Sequence, residues 1–575
     1  MTTISPAVEQ MLSDVQIDFP WNLVQRFAKM QRCLPADVNA SCDELVNRLR
    51  EQAVPVEVLM TRLYLSIPIR AQVRLGDKIL QAKPSSFSIS TPAGLRGELV
   101  YVPANYSASI STLFHRNTQA SDPQHIRGRI VVSEGYATPA KMRDFELAGA
   151  IGVIAINPGV DVHWGICTTI WGSPELDDLP RKPAIPIVAV NHPDGQRLIA
   201  AAASDQTVTI ETELEEGWFD QKLPVVTIPG NSQDFVLLHG HYDSWDVGVG
   251  DNATGDGALM EIARVLWKHR GHLERSIRIA WWPGHSTGRY AGSTWFADHF
   301  AADLDEHCVA QINCDSPGCR WATEYRHVSW MAETEAFAKR TIASVTGLTA
   351  QGERPHRAGD YAFNNIGVSG LMMLSSTMPQ ELAQEKGYYA VGGCGGNIAW
   401  HTENDTLAIA DPHILMRDIR VYLGLVACMA TEPILPLDWR ALMREFKETI
   451  NRYQQALGSD YSLARSMREV DVLEDRLNLV YQHIEAGQCN ADTANGMIRR
   501  LARALVPINH TLMPRFAHDA ASAMPALPTL AIALRWPQCA AEHRDFALTQ
   551  IKRGENKFLG ALRQALHEVQ SALAT

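Results

Sequence analysis

Phe235-Val-Leu-Leu-His-Gly-His-Tyr-Asp-Ser-Trp-Asp-Val-Gly-Val-Gly-Asp-Asn-Ala-Thr-Gly255 reads as a buried strand that ends in polar residues and turns into a helix. The apolar run Phe235 to Leu238 suits a strand covered on both faces, and beyond Asp251 the residues Leu259, Ile262, Ala263 and Leu266 recur at helical spacing. Two further apolar runs behave alike: Ile277 to Trp282 stops at Pro283-Gly-His285, and Val309 to Cys314 stops at Asp315. Strands alternating with helices over residues 214–430 predict an α/β layer with a central sheet. Its strands deliver polar residues to their C-terminal ends, where open α/β sheets place ligands.

Outward from this core the pattern changes twice. Residues 1–92 mix amphipathic stretches with an extended segment, Tyr64 to Pro68, and are expected to pack onto a later part of the chain. From 93 to 213, short runs at Gly128 to Val132, Ile151 to Ile156 and Ile185 to Val190 are separated by turn residues, with a helix-like stretch from Lys141 to Ala150. This predicts a small β-rich inserted domain. From 431 to 575 the chain reads as helical, with one stripe of Leu442, Phe446, Ile450, Tyr453 and Leu457 and another of Leu473, Leu477, Val480, Tyr481 and Ile484.

Composition narrows the partners. At 575 residues the chain is too long for one core, and a net charge of −12 offers no basic footprint for nucleic acid or anionic lipid. No run approaches the ~20 apolar residues of a membrane span, and Met1 to Pro20 lacks the basic start and apolar centre of a leader. The expected location is the cytoplasm. Ten scattered cysteines form no disulfide framework, and Cys308, Cys314 and Cys319 lack the paired spacing of a thiolate zinc site, so reduced thiols are expected.

Four residues stand where ligands belong. His241-Tyr-Asp243 at a strand end puts an imidazole and a carboxylate on one face, and the carboxylate can hold the second ring nitrogen of a metal-bound histidine. By itself this pattern is weak and better describes a structural, hydrogen-bonded histidine. Asp251 opens a turn into a helix, a position that also suits a plain N-terminal carboxylate. With Asp315 and with His401 of His401-Thr-Glu-Asn-Asp-Thr406, the set reaches two imidazoles and two carboxylates. Such nitrogen and oxygen donors suit a divalent ion: zinc first, with iron, manganese or cobalt as alternatives.

The string His239 to Gly255, with Asn313-Cys-Asp315 and His401-Thr-x-x-Asp-Thr406, resembles the metal motifs of the dizinc peptidases that include glutamate carboxypeptidase, related aminopeptidases and the transferrin receptor. The resemblance implies a zinc-peptidase-like α/β fold with a central mixed sheet flanked by helices. It also implies a protease-associated (apical) domain over 93–213 and a helical, homodimer-forming domain over 431–575. By position, His241 and Asp315 would bind one metal, Asp251 would bridge, His401 would bind the second, and Asp243 would support His241.

One segment departs from the pattern. Where the family has Asp-Ala-Glu-Glu-x-Gly after its strand, this chain has Pro283-Gly-His-Ser-Thr-Gly288, followed by Arg289-Tyr-Ala-Gly-Ser293. Both glutamates are missing whichever end is aligned. The second metal position is thereby weakened, and one tightly held ion is expected. His285 stands in for the lost general base, since histidine is the commonest proton carrier, although a surface loop histidine would look the same. Arg289 and Tyr290 are candidates to orient an anionic or aromatic substrate, as is His163 of His163-Trp-Gly-Ile-Cys167 in the inserted domain. Gly392-Gly-Cys-Gly-Gly396 lacks the lysine of a phosphate loop and is expected to form a lid beside His401. Three readings follow: a metal-dependent hydrolase of a small amide or peptide-like molecule, a mononuclear enzyme with lyase-type or iron chemistry on a facial triad, and a non-catalytic interaction protein.

Overall fold

The computed structural model describes residues 4–113, 123–372 and 374–574. Its central sheet orders Glu57–Leu75, Thr207–Ile228, Arg275–Trp282, Ser232–His241, Cys308–Asn313 and Gly370–Leu371. The last four strands are parallel, and Thr207–Ile228 runs antiparallel to Arg275–Trp282. Alternation along the strands divides the apolar residues between two faces. Val226, Val236, Leu238, Ile277 and Ile279 join a core with Leu259 and Ile262 of helix Thr254–Lys268 and with helix Pro412–Thr431. Leu223, Val225, Phe235, Leu237 and Trp282 face the other way, onto Phe296, Leu304 and Phe363. Helices cover both faces, so the strand sequence is an unbroken apolar run rather than an alternating one.

The N-terminal helices settle where residues 1–92 pack. Val24 and Phe27 of Asp18–Phe27, and Leu45 and Leu49 of Pro35–Glu51, lie in the same core as Val236 and Leu259. The extended segment at Tyr64 is part of a strand of 19 residues, Glu57–Leu75, paired along its length with Thr207–Ile228. These two strands run on beyond the central sheet and carry the inserted layer.

That layer differs from the β-rich domain predicted. Leu95–Tyr101, Ile130–Glu134, Gly152–Ile156 and Ile187–Val190 pair in parallel, and Lys78–Pro84 runs antiparallel between Ile187–Val190 and Glu57–Leu75. Helices Pro139–Leu147 and His192–Ala202 cover opposite faces through Met142 and Phe145 on one side and Leu198 and Ala201 on the other. It is a small α/β unit, and it takes in Lys78–Pro84, ahead of the boundary at 93. The first of these helices overlaps the helix-like stretch expected from Lys141 to Ala150, whereas the sequence reading gives no helix at His192–Ala202.

The tail is helical as predicted: Arg440–Leu457, Ala464–Glu485, Ala491–His510 and Arg544–Ala574. The first stripe is wholly buried, and the second is buried except for the partly covered Ile484. These helices share a core with the central sheet. Arg503 ties them to it by donating to the carbonyls of Leu304, Asp305, Cys308 and Gly367. No helix among the described residues is long and apolar enough to cross a membrane.

Candidate functional site

His241 ends its strand, and Asp315 follows the end of the neighbouring strand Cys308–Asn313. Asn252 links these termini: its amide Nδ2 donates to the carbonyls of His241 (3.2 Å) and Cys314 (3.0 Å), and its Oδ1 accepts from the Ser316 amide (2.9 Å). The Asp405 carboxylate accepts from the amides of Gly250 (2.7 Å) and Asp251 (3.0 Å), anchoring the turn that carries Asp251. Burial pushes the Asp405 carboxyl up to about 7. Gly248 is required in that turn: a Cβ there would fall 1.4 Å from Ser244 Oγ at a φ of 40°.

The candidate ligands converge. His241 Nε2 lies 3.0 Å from Asp251 Oδ1 and 3.6 Å from Asp315 Oδ2, and His401 Nε2 lies 3.2 Å from Asp251 Oδ2. His241 Nε2 is buried yet makes no hydrogen bond. Burial disfavours charge on this ring, but Asp251 and Asp315 together hold its pKa well above the ordinary histidine value. Against its own burial, Asp251 is held well below the carboxylate range by His241 and His401. The carboxylates thus call for a positive charge at an orphaned imidazole nitrogen, which a divalent ion supplies while leaving the ring neutral. The donor set fits such an ion, with Asp251 between the two histidines as the resemblance implied.

Asp243 plays a different part from the one expected. Its main-chain carbonyl, not its carboxylate, accepts from His241 Nδ1 at 2.8 Å. The carboxylate instead accepts from the amides of His285 and Ser286 at 2.9 Å each, holding the anomalous loop. The two amides engage the carboxylate, and the carbonyl is left to face the ring.

His285 is not a surface residue. Its ring stacks on His241 with centroids 3.7 Å apart, and its Nδ1 donates to Asp360 Oδ2 at 2.7 Å. Asp360 is fully buried and also accepts from Ser293 Oγ at 2.6 Å. Burial opposes its ionisation, but His285 overrides this and lowers its pKa. Asp360 was not singled out in the sequence, where it lies 75 positions from its partner in an undistinguished loop. His241, His285 and Asp315 offer ligand atoms within 4.8 Å of one another, so His285 is also within reach of an ion.

A cavity of about 100 Å³ opens onto this group. Asp251, Asp315, His285 and His401 line one part of it, and Arg289, Tyr290, Trp164, Trp400 and Tyr136 are among the residues that line the remainder. His163 does not reach it: Nδ1 bonds the Trp400 carbonyl (2.6 Å), Nε2 bonds the Tyr389 hydroxyl (2.9 Å), and burial drives the ring pKa down to about 3. The next residue acts in its place. Trp164 donates its amide to the His401 carbonyl (2.8 Å) and accepts from His401 Nδ1 (3.1 Å), so the inserted layer orients a candidate ligand. His239, near in sequence, is a core residue held between Trp282 and Gln311. The Gly392 to Gly396 segment is a packed wall, in which a Cβ on Gly392 or Gly393 would meet the Trp400 indole at 2.8 Å.

Comparison with known proteins agrees with this geometry. Residues 225–426 match peptidase family M28. "Leucine aminopeptidase 2" of Trichophyton equinum is 29% identical over 237 residues, 40% of this chain and 43% of that protein. "Probable glutamate carboxypeptidase VP8" of Zea mays is 26% identical over 38% of this chain and 31% of its own length. The chain therefore spans less than half the length of these curated relatives. In fold it is similar to BSAP, a zinc aminopeptidase from Bacillus subtilis, with a TM-score of 0.54 at 16% identity over 73% of this chain and 96% of that one. The strands and loops that carry the candidate ligands fall inside residues 225–426, the segment that matches peptidase family M28.

Proposed function

We propose that the chain is a metal-dependent hydrolase of a small amide or peptide-like molecule. It holds one divalent ion, zinc in the first instance, through His241, Asp251 and Asp315, with His401 beside it. The convergence of two imidazoles and two carboxylates on a small cavity carries this reading. When bound, such an ion supplies Lewis-acid polarisation of a carbonyl and a more acidic water. The residues do the rest. His285, fixed by Asp360 in the tautomer with hydrogen on Nδ1, has Nε2 free to take a proton from water and return it to the departing amine. Asp360 stabilises the imidazolium that forms between these transfers. Trp164, Trp400 and Tyr136 wall the cavity and exclude bulk water.

A second reading rests on the grouping of His241, His285 and Asp315. With His285 as a ligand, two imidazoles and one carboxylate form the facial triad of mononuclear iron enzymes, and the chemistry would not be hydrolytic. Elemental analysis of the purified protein separates the two, with hydrolysis of acetylated amino acid amides followed alongside. About one tightly held zinc per chain with metal-dependent hydrolysis is expected. Two tightly held ions would refute the single-site reading, and iron with oxygen-sensitive activity would favour the second.

We also infer a reducing, cytoplasmic setting and a homodimer. All ten cysteines are unpaired and seven are buried, which suits a reduced chain. In the tail, Leu512, Met513, Phe516 and Phe546 are exposed large apolar residues that a second copy would cover. The full chain is expected to sediment as a dimer at micromolar concentration, and a well-behaved monomer would refute this.

A further inference from the structure

Arg289 shares the cavity with the candidate ligands and has no visible partner. It is 8% exposed, and its Nε makes no hydrogen bond. Among the described residues no carboxylate lies within ion-pair distance of it, and its guanidinium only rests over the Tyr290 ring at 4.8 Å. A buried cation without a counter-charge is costly, so its place needs a reason. Arg357, also buried nearby, shows the contrast. It stacks on Trp171 at 3.6 Å and donates to the main-chain carbonyls of Tyr361, Asp519 and Ala520.

The backbone repeats the message. Arg289 and Tyr290 both hold left-handed φ values, 48° and 69°, a conformation disfavoured for residues with a side chain. Two in succession, in the loop that replaces the glutamate pair, mark a conformation kept for what it presents. The loop is pinned here, because the Arg289 carbonyl accepts from the Gly172 amide of the inserted layer at 2.7 Å.

We infer that Arg289 is a carboxylate anchor, and that the substrate is a small amide carrying a free carboxylate a few bonds from the carbonyl that is attacked. This rests on the hydrolase reading above. A guanidinium presents a planar fork that matches a carboxylate with two parallel hydrogen bonds. The distance is short: Tyr290 touches both groups, its ring 4.8 Å from the His285 ring and 4.8 Å from the Arg289 guanidinium carbon. The space is small as well, a pocket of about 100 Å³ that opens to solvent, which suits a short acylated amino acid better than a long peptide.

The test is isothermal titration of the metal-loaded full chain with N-acetylglycine, its neutral counterpart N-acetylglycinamide, and inorganic phosphate. The acid should bind at least ~10-fold more tightly than the amide, in keeping with a charge-assisted pair. Arg289→Gln should erase that preference with metal content unchanged, and Arg289→Lys should keep part of it. A preference that survives in Arg289→Gln would place the carboxylate on the ion and overturn the inference. So would equal binding of acid and amide, or binding of phosphate alone. Should the variants fail to fold, wild-type crystals soaked with N-acetylglycine decide: a carboxylate away from the guanidinium refutes the anchor. The two readings fail separately. Tight, Arg289-dependent binding without hydrolysis keeps the anchor and removes the hydrolase, whereas equal hydrolysis of acid and amide, unaltered in Arg289→Gln, does the reverse.

Discussion

Replacing His241 or Asp315 by alanine should strip the chain of its tightly held ion and abolish any metal-dependent turnover. Each removes one of only a few donors around the same point, where His241 Nε2 sits 3.0 Å from Asp251 and 3.6 Å from Asp315. Elemental analysis gives the readout, with circular dichroism to show that the fold survives. Asn252 and Asp405 hold the backbone of the site independently of both side chains, so folding should persist. A His241→Ala protein that keeps a full equivalent of metal would move the site elsewhere.

His285→Ala should lower turnover by roughly 10²–10⁴-fold, the usual worth of a general acid or base, and leave metal content unchanged. Asp360→Asn should follow in the same direction with a loss of ~10–100-fold, since it replaces the carboxylate that sets the His285 tautomer with a neutral amide able to donate to the ring instead, without touching the substrate. Steady-state kinetics on a carboxylate-bearing amide, with metal measured in each preparation, checks both. If His285→Ala also loses the ion, His285 is a ligand and the facial-triad reading gains. If it stays within a fewfold of wild type with metal intact, the proton travels by another route. His239 is then no substitute, because it is locked in the core between Trp282 and Gln311.

Much of the candidate site was legible because the fold delivers it in local pieces. A strand of unbroken apolar residues with His241 at its end, a turn carrying Asp251 into a helix, and a second strand leading to Asp315 are patterns within a dozen residues. Their physical cause, burial of both faces of a sheet, acts on neighbouring positions. The departure at Pro283 to Gly288 was equally plain, since it replaces acids with residues of different chemistry.

What needed the tertiary structure were the partnerships between distant segments. The loop holding Asp360 has no local signature, and only chain packing brings it to His285. The inserted layer contributes Trp164 to His401 rather than His163 to a substrate, because burial commits both nitrogens of His163 to Trp400 and Tyr389. Whether Asp243 uses its carboxylate or its carbonyl depended on the loop at His285 and Ser286, about forty positions away, whose amides claim the carboxylate. In the inserted layer the helix at Pro139–Leu147 was legible, but His192–Ala202 on the opposite face was not, because strands buried on both faces carry no alternation that would call for a second cover. The sequence by itself determined the sheet, the ligand types and the missing glutamates, because those follow from local hydrophobicity and side-chain chemistry. Only the tertiary structure decided which polar groups are paired and which, like Arg289, stand free, because pairing depends on the distances between segments far apart in the chain.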